Sequence, residues 1–164
     1  MKIRVGFGFD VLDLRSEHPF VLGGVKLEHH AGAFGHSDAD VLLHAICDAL
    51  LGAANLRDIG YHFSNQDERW KGISSLTLLE ECVLLLEEKG WRVGNIDAMI
   101  CLEAPKINPH VLQMKENIAK AIGIIVDDIS IKATTNEKLG FIGREEGVVA
   151  YAVCLIEKVQ TIQV

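Results

Sequence analysis

From Lys2 to Asp10 the chain alternates, with Ile3, Val5, Phe7 and Phe9 on one side and Arg4, Gly6 and Gly8 on the other. A period of two predicts a strand with one apolar face. Phe20 to Val25 is a second short apolar run, expected to pair with the first strand or its continuation. From Asp38 to Leu51 the apolar positions recur at helical spacing, with Ser37 or Asp38 available as cap and Gly52 as stop. Arg57 to Gly72 is polar and irregular, longer than a plain connector needs. Ser75 to Lys89 is helical, with Gly90 in the position after the C-cap. Asn95 to Leu102 is a strand. Asn108-Pro109 offers a cap and a first-turn proline for a third helix that ends at Gly123. Ile129 to Thr134 and Val148 to Glu157 are the last strands, separated by a Gly-rich loop from Asn136 to Gly147. This order predicts an α+β single domain over residues 1–164: one mixed sheet with helices on one face, a sandwich. Ile131, Ala133, Val149, Tyr151, Val153 and Leu155 are too apolar for water, which predicts oligomer contacts through the free sheet face.

Composition narrows the functional classes. In 164 residues, 49% are apolar, enough for one core. The 16 Lys and Arg against 23 Asp and Glu leave a net charge of −7, which argues against nucleic acid as a partner. An anionic small molecule stays open, because a site can gather a few cations, backbone N–H groups and a metal locally. No apolar run reaches the roughly 18 residues of a membrane span, and the N-terminus does not read as a secretory signal. Cys47, Cys82, Cys101 and Cys154 form no Cys-x-x-Cys pair and lie among apolar residues, so buried free thiols in a reducing cytoplasm are expected.

Four segments could carry chemistry. Gly35-His36-Ser37-Asp38-Ala39-Asp40 leads into His44, and Asp40 and His44 are a helical turn apart. An imidazole there could ligate a metal, a nearby carboxylate setting its tautomer; a hydrogen-bonded helix histidine is the plainer reading. Gly8-Phe9-Asp10 places a carboxylate at the predicted end of the first strand, suited to a metal or to a turn. Lys132-Ala133-Thr134-Thr135-Asn136-Glu137-Lys138 offers hydroxyls, N–H groups and ammonium to phosphate oxygens, and Glu137 to a hard cation. Ala104-Pro105-Lys106 supplies a rigid backbone edge of the kind that can read a nucleobase, or a simple turn.

Taken together and in this order, these segments resemble the 2-C-methyl-D-erythritol 2,4-cyclodiphosphate synthases of the non-mevalonate isoprenoid pathway. The resemblance rests on GFGFD ending at Asp10, LGGV at Leu22, GHSDADVLLHA from Gly35, DALLGAA at Asp48, DIG at Asp58, APK at Ala104 and KATTNEKLGFIGREEG from Lys132, and spans residues 2–158. It implies a homotrimer with active sites at the subunit interfaces, and a lyase that cyclises 4-diphosphocytidyl-2-C-methyl-D-erythritol 2-phosphate with release of CMP. It implies zinc ligation by Asp10 and His44, and contact of Glu137 with a second metal, Mg²⁺ or Mn²⁺. His36 and Thr135 match transition-state-stabilising positions, and His36 and Ser37 would meet the phosphate and erythritol parts. Asp58 and Gly60 would hold the methylerythritol hydroxyls. Ala104, Pro105, Lys106, Ile107 and Asn108 would line the cytosine pocket beside Thr134. Ile59, Phe63, Asp67 and Asn136 complete the implied substrate-binding set, and Phe141, Arg144 and Glu146 match residues near the trimer axis.

Two departures stand out. The family has Asp-x-His after the first strand, whereas this chain reads Asp10-Val11-Leu12, and leucine has no lone pair for zinc. Phe63-Ser64-Asn65-Gln66-Asp67 lacks the usual Pro and Thr of the substrate-covering loop. The expectation is a synthase weakened at its zinc site; the alternative is an inactive trimer that binds cytidine nucleotides or isoprenoid diphosphates.

Overall fold

The computed structural model describes residues 2–159. The first strand, β1 (Ile3–Ser16), runs past the predicted end at Asp10, so Asp10 lies within a strand. It continues because both its neighbours do: it pairs antiparallel with β7 (Gly147–Lys158) as far as Asp13↔Gly147, and with β4 (Ala31–Ala33) from Leu14 to Ser16. Polar Asp13, Arg15 and Ser16 concealed that extension from the hydrophobic pattern.

Phe20 to Val25 is not one strand and does not pair with β1. It splits into β2 (Phe20–Leu22) and β3 (Val25–Leu27), a hairpin forming its own two-stranded sheet. Gly23 and Gly24 between them both have positive φ, 59° and 71°, the requirement of the tight two-residue turn that reverses a hairpin.

The main sheet has the order β4-β1-β7-β5-β6, with β5 (Trp91–Cys101) and β6 (Ile129–Thr134) parallel and the other pairings antiparallel. The expected mixed sheet with helices on one face is therefore present. Helix α1 (Val41–Ala53) starts later than predicted and is capped by Asp40, not by Ser37 or Asp38, because Ala39 sits at φ 58° and keeps the preceding turn non-helical. Ten of its 13 residues are buried, since it lies between the sheet and α3 (Ser75–Glu88). It rests directly on Gly6 and Gly8 of β1, where an added Cβ would collide with the carbonyl oxygens of Ala49 and Ala45. The short α2 (Ile59–His62) and a 3₁₀ turn (Glu68–Trp70) occupy the segment expected to be irregular. Asn108 does not cap the next helix. Asn108–His110 makes a 3₁₀ turn, and α4 (Val111–Ile122) follows it. A single helical turn, α5 (Gly140–Gly143), precedes β7.

The opposite face of the sheet is apolar and open. Val5 and Phe7 are 65% and 63% exposed, and Ile3, Phe9, Val11, Tyr151 and Val153 are exposed beside them. All four cysteines are free thiols. Cys47, Cys82 and Cys154 are buried, and burial pushes the Cys154 thiol up to about 12. Among the described residues, no helix is long and apolar enough to cross a membrane.

Candidate active site

Asp10 and His44 meet across the closest packing of the fold. Gly6 and Gly8 let α1 settle on β1, and Asp10, next on the same strand face, then reaches His44 with Oδ2 3.0 Å from Nδ1. The other imidazole nitrogen, Nε2, lies 2.9 Å from Ser37 Oγ and 3.0 Å from Ser75 Oγ. Ser75 Oγ donates to Asp38 Oδ1 at 2.5 Å, so its lone pair is what it offers Nε2. With both carboxylates ionised, each ring nitrogen donates a proton. The charged imidazolium is favoured accordingly: burial would lower the His44 pKa, but the Asp10 hydrogen bond and the charges of Asp10, Asp40 and Asp38 outweigh it and raise it.

Asp40 does not serve His44 through its side chain. It is fully buried, accepts from Leu43 N at 3.1 Å as the helix cap, and accepts from Gly24 N at 2.7 Å to anchor the hairpin. The carboxylate set against the imidazole is Asp10, 34 residues away in sequence.

A cation placed between Asp10 and His44 would replace the proton they share. A catalytic zinc site takes three protein ligands. Leu12 lies two residues along the same strand face, partly buried against the core, and donates nothing. Among the described residues, no third His, Cys, Asp or Glu atom lies within 4.8 Å of both donors. His18 is engaged elsewhere, with Nδ1 3.2 Å from Ser16 O and its ring edge-on to Phe34. The donor set is thus one short of a complete zinc site.

His36, Ser37 and His44 open onto a cavity of about 240 Å³ that Ile59, Gly60, Phe63 and Trp70 also line. The Nε2 atom of His36 is buried without a hydrogen-bond partner. Phe63 and Trp70 stack edge to face with centroids 5.1 Å apart, forming an aromatic wall. Asp58 caps α2 through Tyr61 N at 2.9 Å, and the Asp67 carboxylate is held by Arg69 at 2.6 Å.

A second cavity, of about 250 Å³, lies at the C-terminal ends of the parallel pair β5 and β6, where Cys101 aligns with Thr134. Pro105, Lys106, Ile107, Asn108, Thr134 and Thr135 line it, while Ala104 joins Pro105 through a cis peptide. Thr135 Oγ1 donates to Glu137 Oε1 at 3.1 Å. Behind them Glu103, with its side chain 3% exposed, accepts from Asn136 N at 3.1 Å and from Lys138 N and Nζ, each at 3.2 Å. Burial would raise Glu103, but these bonds outweigh it and hold the carboxyl below the usual range. Lys132 is turned away, paired with Asp97 at 2.5 Å. Glu137 is exposed, a single carboxylate of the kind that shares Mg²⁺ or Mn²⁺ with substrate phosphates.

The two cavities have no lining residue in common within one chain. Phe141 and Arg144 lie apart from both, in the turn before β7, where Arg144 Nη2 pairs with Glu146 Oε2 at 2.9 Å. Ser75 and Glu103 were not foreseen as site residues. Ser75 reads as an ordinary first-turn serine, and Glu103 gave no signal beyond adjoining Ala104-Pro105-Lys106.

The YgbB family profile matches residues 3–157. The 2-C-methyl-D-erythritol 2,4-cyclodiphosphate synthase of Cytophaga hutchinsonii is 61% identical, over 96% of this chain and 99% of that protein. The synthase of the same name from Bacteroides thetaiotaomicron is also 61% identical, with the same coverage. A bifunctional IspDF structure from Campylobacter jejuni superposes with a TM-score of 0.93 at 37% identity, covering 97% of this chain and 43% of that longer one. A CDP complex of IspF from Plasmodium falciparum superposes with a TM-score of 0.85 at 32% identity, covering 96% and 97% of the two chains.

Proposed function

The chain belongs to the YgbB family, and we propose that it is a cyclodiphosphate synthase, a lyase of isoprenoid biosynthesis. Its substrate is 4-diphosphocytidyl-2-C-methyl-D-erythritol 2-phosphate. An oxygen of the 2-phosphate attacks the β-phosphorus, the bond from that phosphorus to the bridging oxygen breaks, and CMP leaves with the bridging oxygen. The product is the 2,4-cyclic diphosphate. The observation that carries this reading is 61% identity across nearly the whole length of synthases of that name.

Such phosphoryl transfer is catalysed by positioning and by offsetting charge. The cavity at the ends of β5 and β6 takes the cytidine end, with Lys106 and Thr134 at its rim. His36 donates from its unpartnered Nε2 to the reacting phosphate, and Ser37 holds it. Thr135 binds the diphosphate, while Glu137 would hold Mg²⁺ or Mn²⁺ there, which would offset phosphate charge. Ile59 and Gly60 border the methylerythritol end, with Asp58 beside them and Phe63 closing the wall. Asn136, Ala104 and Asp67 shape the surrounding loops. Because the two cavities are separate in one chain, a homotrimer joins them across subunit contacts made by the open sheet face, and Phe141 and Arg144 lie toward its axis. The proposed location is the cytoplasm.

Asp10 and His44 are a two-donor pair, one ligand short of a complete zinc site. Leu12 weakens zinc binding and, through it, turnover. The same incomplete pair favours a second reading, a trimer that binds cytidine nucleotides without turning substrate over. Phosphorus NMR of the purified protein with substrate, Mg²⁺ and saturating Zn²⁺ separates the two. Cyclic diphosphate and CMP signals growing at equal rates support the synthase. Unchanged substrate, with CDP still bound, supports the second reading.

A further inference from the structure

We propose that His29, His30 and Glu145 form a divalent-cation site of the zinc class, separate from the Asp10–His44 pair, that pins the turn before β4 to the turn before β7. One donor atom from each of the three residues lies within 4.8 Å of the other two. His29 and His30 sit side by side immediately before β4, with ring centroids 4.2 Å apart. Glu145 reaches them from the far side of the chain, between α5 and β7.

His29 provides the observation that points to a ligand. Its side chain is 10% exposed, packed near the buried ring of Phe20, and its Nε2 is buried with no hydrogen-bond partner. Glu145 Oε2 stands 3.8 Å away, beyond hydrogen-bond reach. A buried imidazole nitrogen that stops short of a carboxylate by this margin leaves room for an atom between them. In tetrahedral zinc, with bonds of about 2.0–2.2 Å, neighbouring donors stand roughly 3.3–3.6 Å apart, close to the 3.8 Å between His29 and Glu145, and rotation of the exposed His30 ring and of the Glu145 carboxylate would complete the geometry. Two imidazoles and one carboxylate are a zinc donor set. The nitrogens discriminate against Mg²⁺ and Ca²⁺, which prefer oxygen. His30 is exposed and the Glu145 side chain is 34% exposed, so the fourth position and the entry path open to water.

The site has a mechanical consequence. Leu14 N donates to Glu146 O, and Glu17 N donates to His30 O, so both turns already lean on the far end of β1. A bound cation would tie them to each other and fix the turn that carries Arg144 and Glu146. Asp10 lies four residues from Leu14, about 13 Å along the strand at the usual rise, which keeps the two sites apart. Cation binding at this site is independent of the synthase activity.

The test is zinc binding to chelator-stripped full-length protein, by competition with a chromophoric chelator. It is paired with anomalous diffraction at the zinc edge from crystals equilibrated with zinc, and with thermal unfolding. An anomalous peak between His29, His30 and Glu145 is expected, and zinc raises the melting temperature. The Asp10→Asn variant keeps this peak and this affinity. Glu145→Gln and His30→Gln each lower the affinity by at least about 10-fold and abolish the melting shift. His30 is exposed, so its variant folds even if a His29 variant does not. No peak at these residues, or a zinc affinity and melting shift unchanged in His30→Gln, overturns the proposal.

Discussion

At the scale of single residues, the site is organised by hydrogen bonds among its own side chains. His44 is oriented by Asp10 on one side and by Ser37 and Ser75 on the other, with Asp38 fixing the Ser75 hydroxyl. Glu103 does the same for the Thr134–Lys138 loop, accepting two backbone N–H groups and one ammonium from it. Its carboxyl is held below the ordinary range when folded, so the stability it contributes is full above the unfolded carboxyl pKa of about 4.3 and is lost as pH falls through the lower, folded value. Glu103→Gln should therefore loosen the loop, weaken CDP binding at neutral pH and make unfolding less pH-dependent in the acid range. A CDP titration and an acid series of melting curves check this; wild-type affinity and an unchanged acid slope contradict it. Sequence reading reached His44, Asp10 and the threonines because they fall in recognisable strings. It missed Ser75 and Glu103 because their roles rest on contacts 31 to 37 residues apart, which no local spacing encodes.

At the scale of elements, the start of α1 is the joint of the site. Asp40 caps the helix that carries His44 and ties the β2–β3 hairpin to it through Gly24 N. Burial raises the Asp40 pKa against the bonds from Gly24, Leu43 and Gly23, so removing the carboxyl recovers part of what is lost. The cap and the orphaned N–H groups outweigh that, and Asp40→Ala should lower unfolding free energy by about 1–3 kcal/mol in a urea titration. An unchanged midpoint would contradict it. Helices and the main-sheet strands with long apolar runs were legible in the sequence because their periodicity is regular, and the edge strand β6 falls on the predicted residues. The start of α1 was misplaced because Ser37, Asp38 and Asp40 are all competent caps and only the left-handed Ala39 decides among them. The hairpin was missed because the six-residue run from Phe20 to Val25 hides a Gly-Gly reversal, and β4 because a strand of three small residues has no pattern.

At the scale of the molecule, one face of the sheet is buried under helices and the other presents Ile3, Val5, Phe7, Phe9, Tyr151 and Val153 to the outside. A patch of this kind marks an interface, and in the proposed homotrimer that interface would bring the separated cavities together. Light scattering should give three times the 18.0 kDa chain mass, and Phe7→Lys should reduce it to one chain with loss of activity. A monomeric parent protein would contradict both. The net charge of −7 makes local cation recruitment necessary for a substrate rich in phosphate. Under the proposed function, Asp10 and His44 hold zinc weakly beside Leu12. The most direct measurement is CMP release from 4-diphosphocytidyl-2-C-methyl-D-erythritol 2-phosphate at fixed Mg²⁺ with zinc titrated, comparing the parent protein with Leu12→His. The account predicts zinc-dependent release by both, with half-saturation at a zinc concentration at least about 10-fold lower, and faster turnover, in Leu12→His. No release by either protein, or zinc curves that coincide, would contradict it.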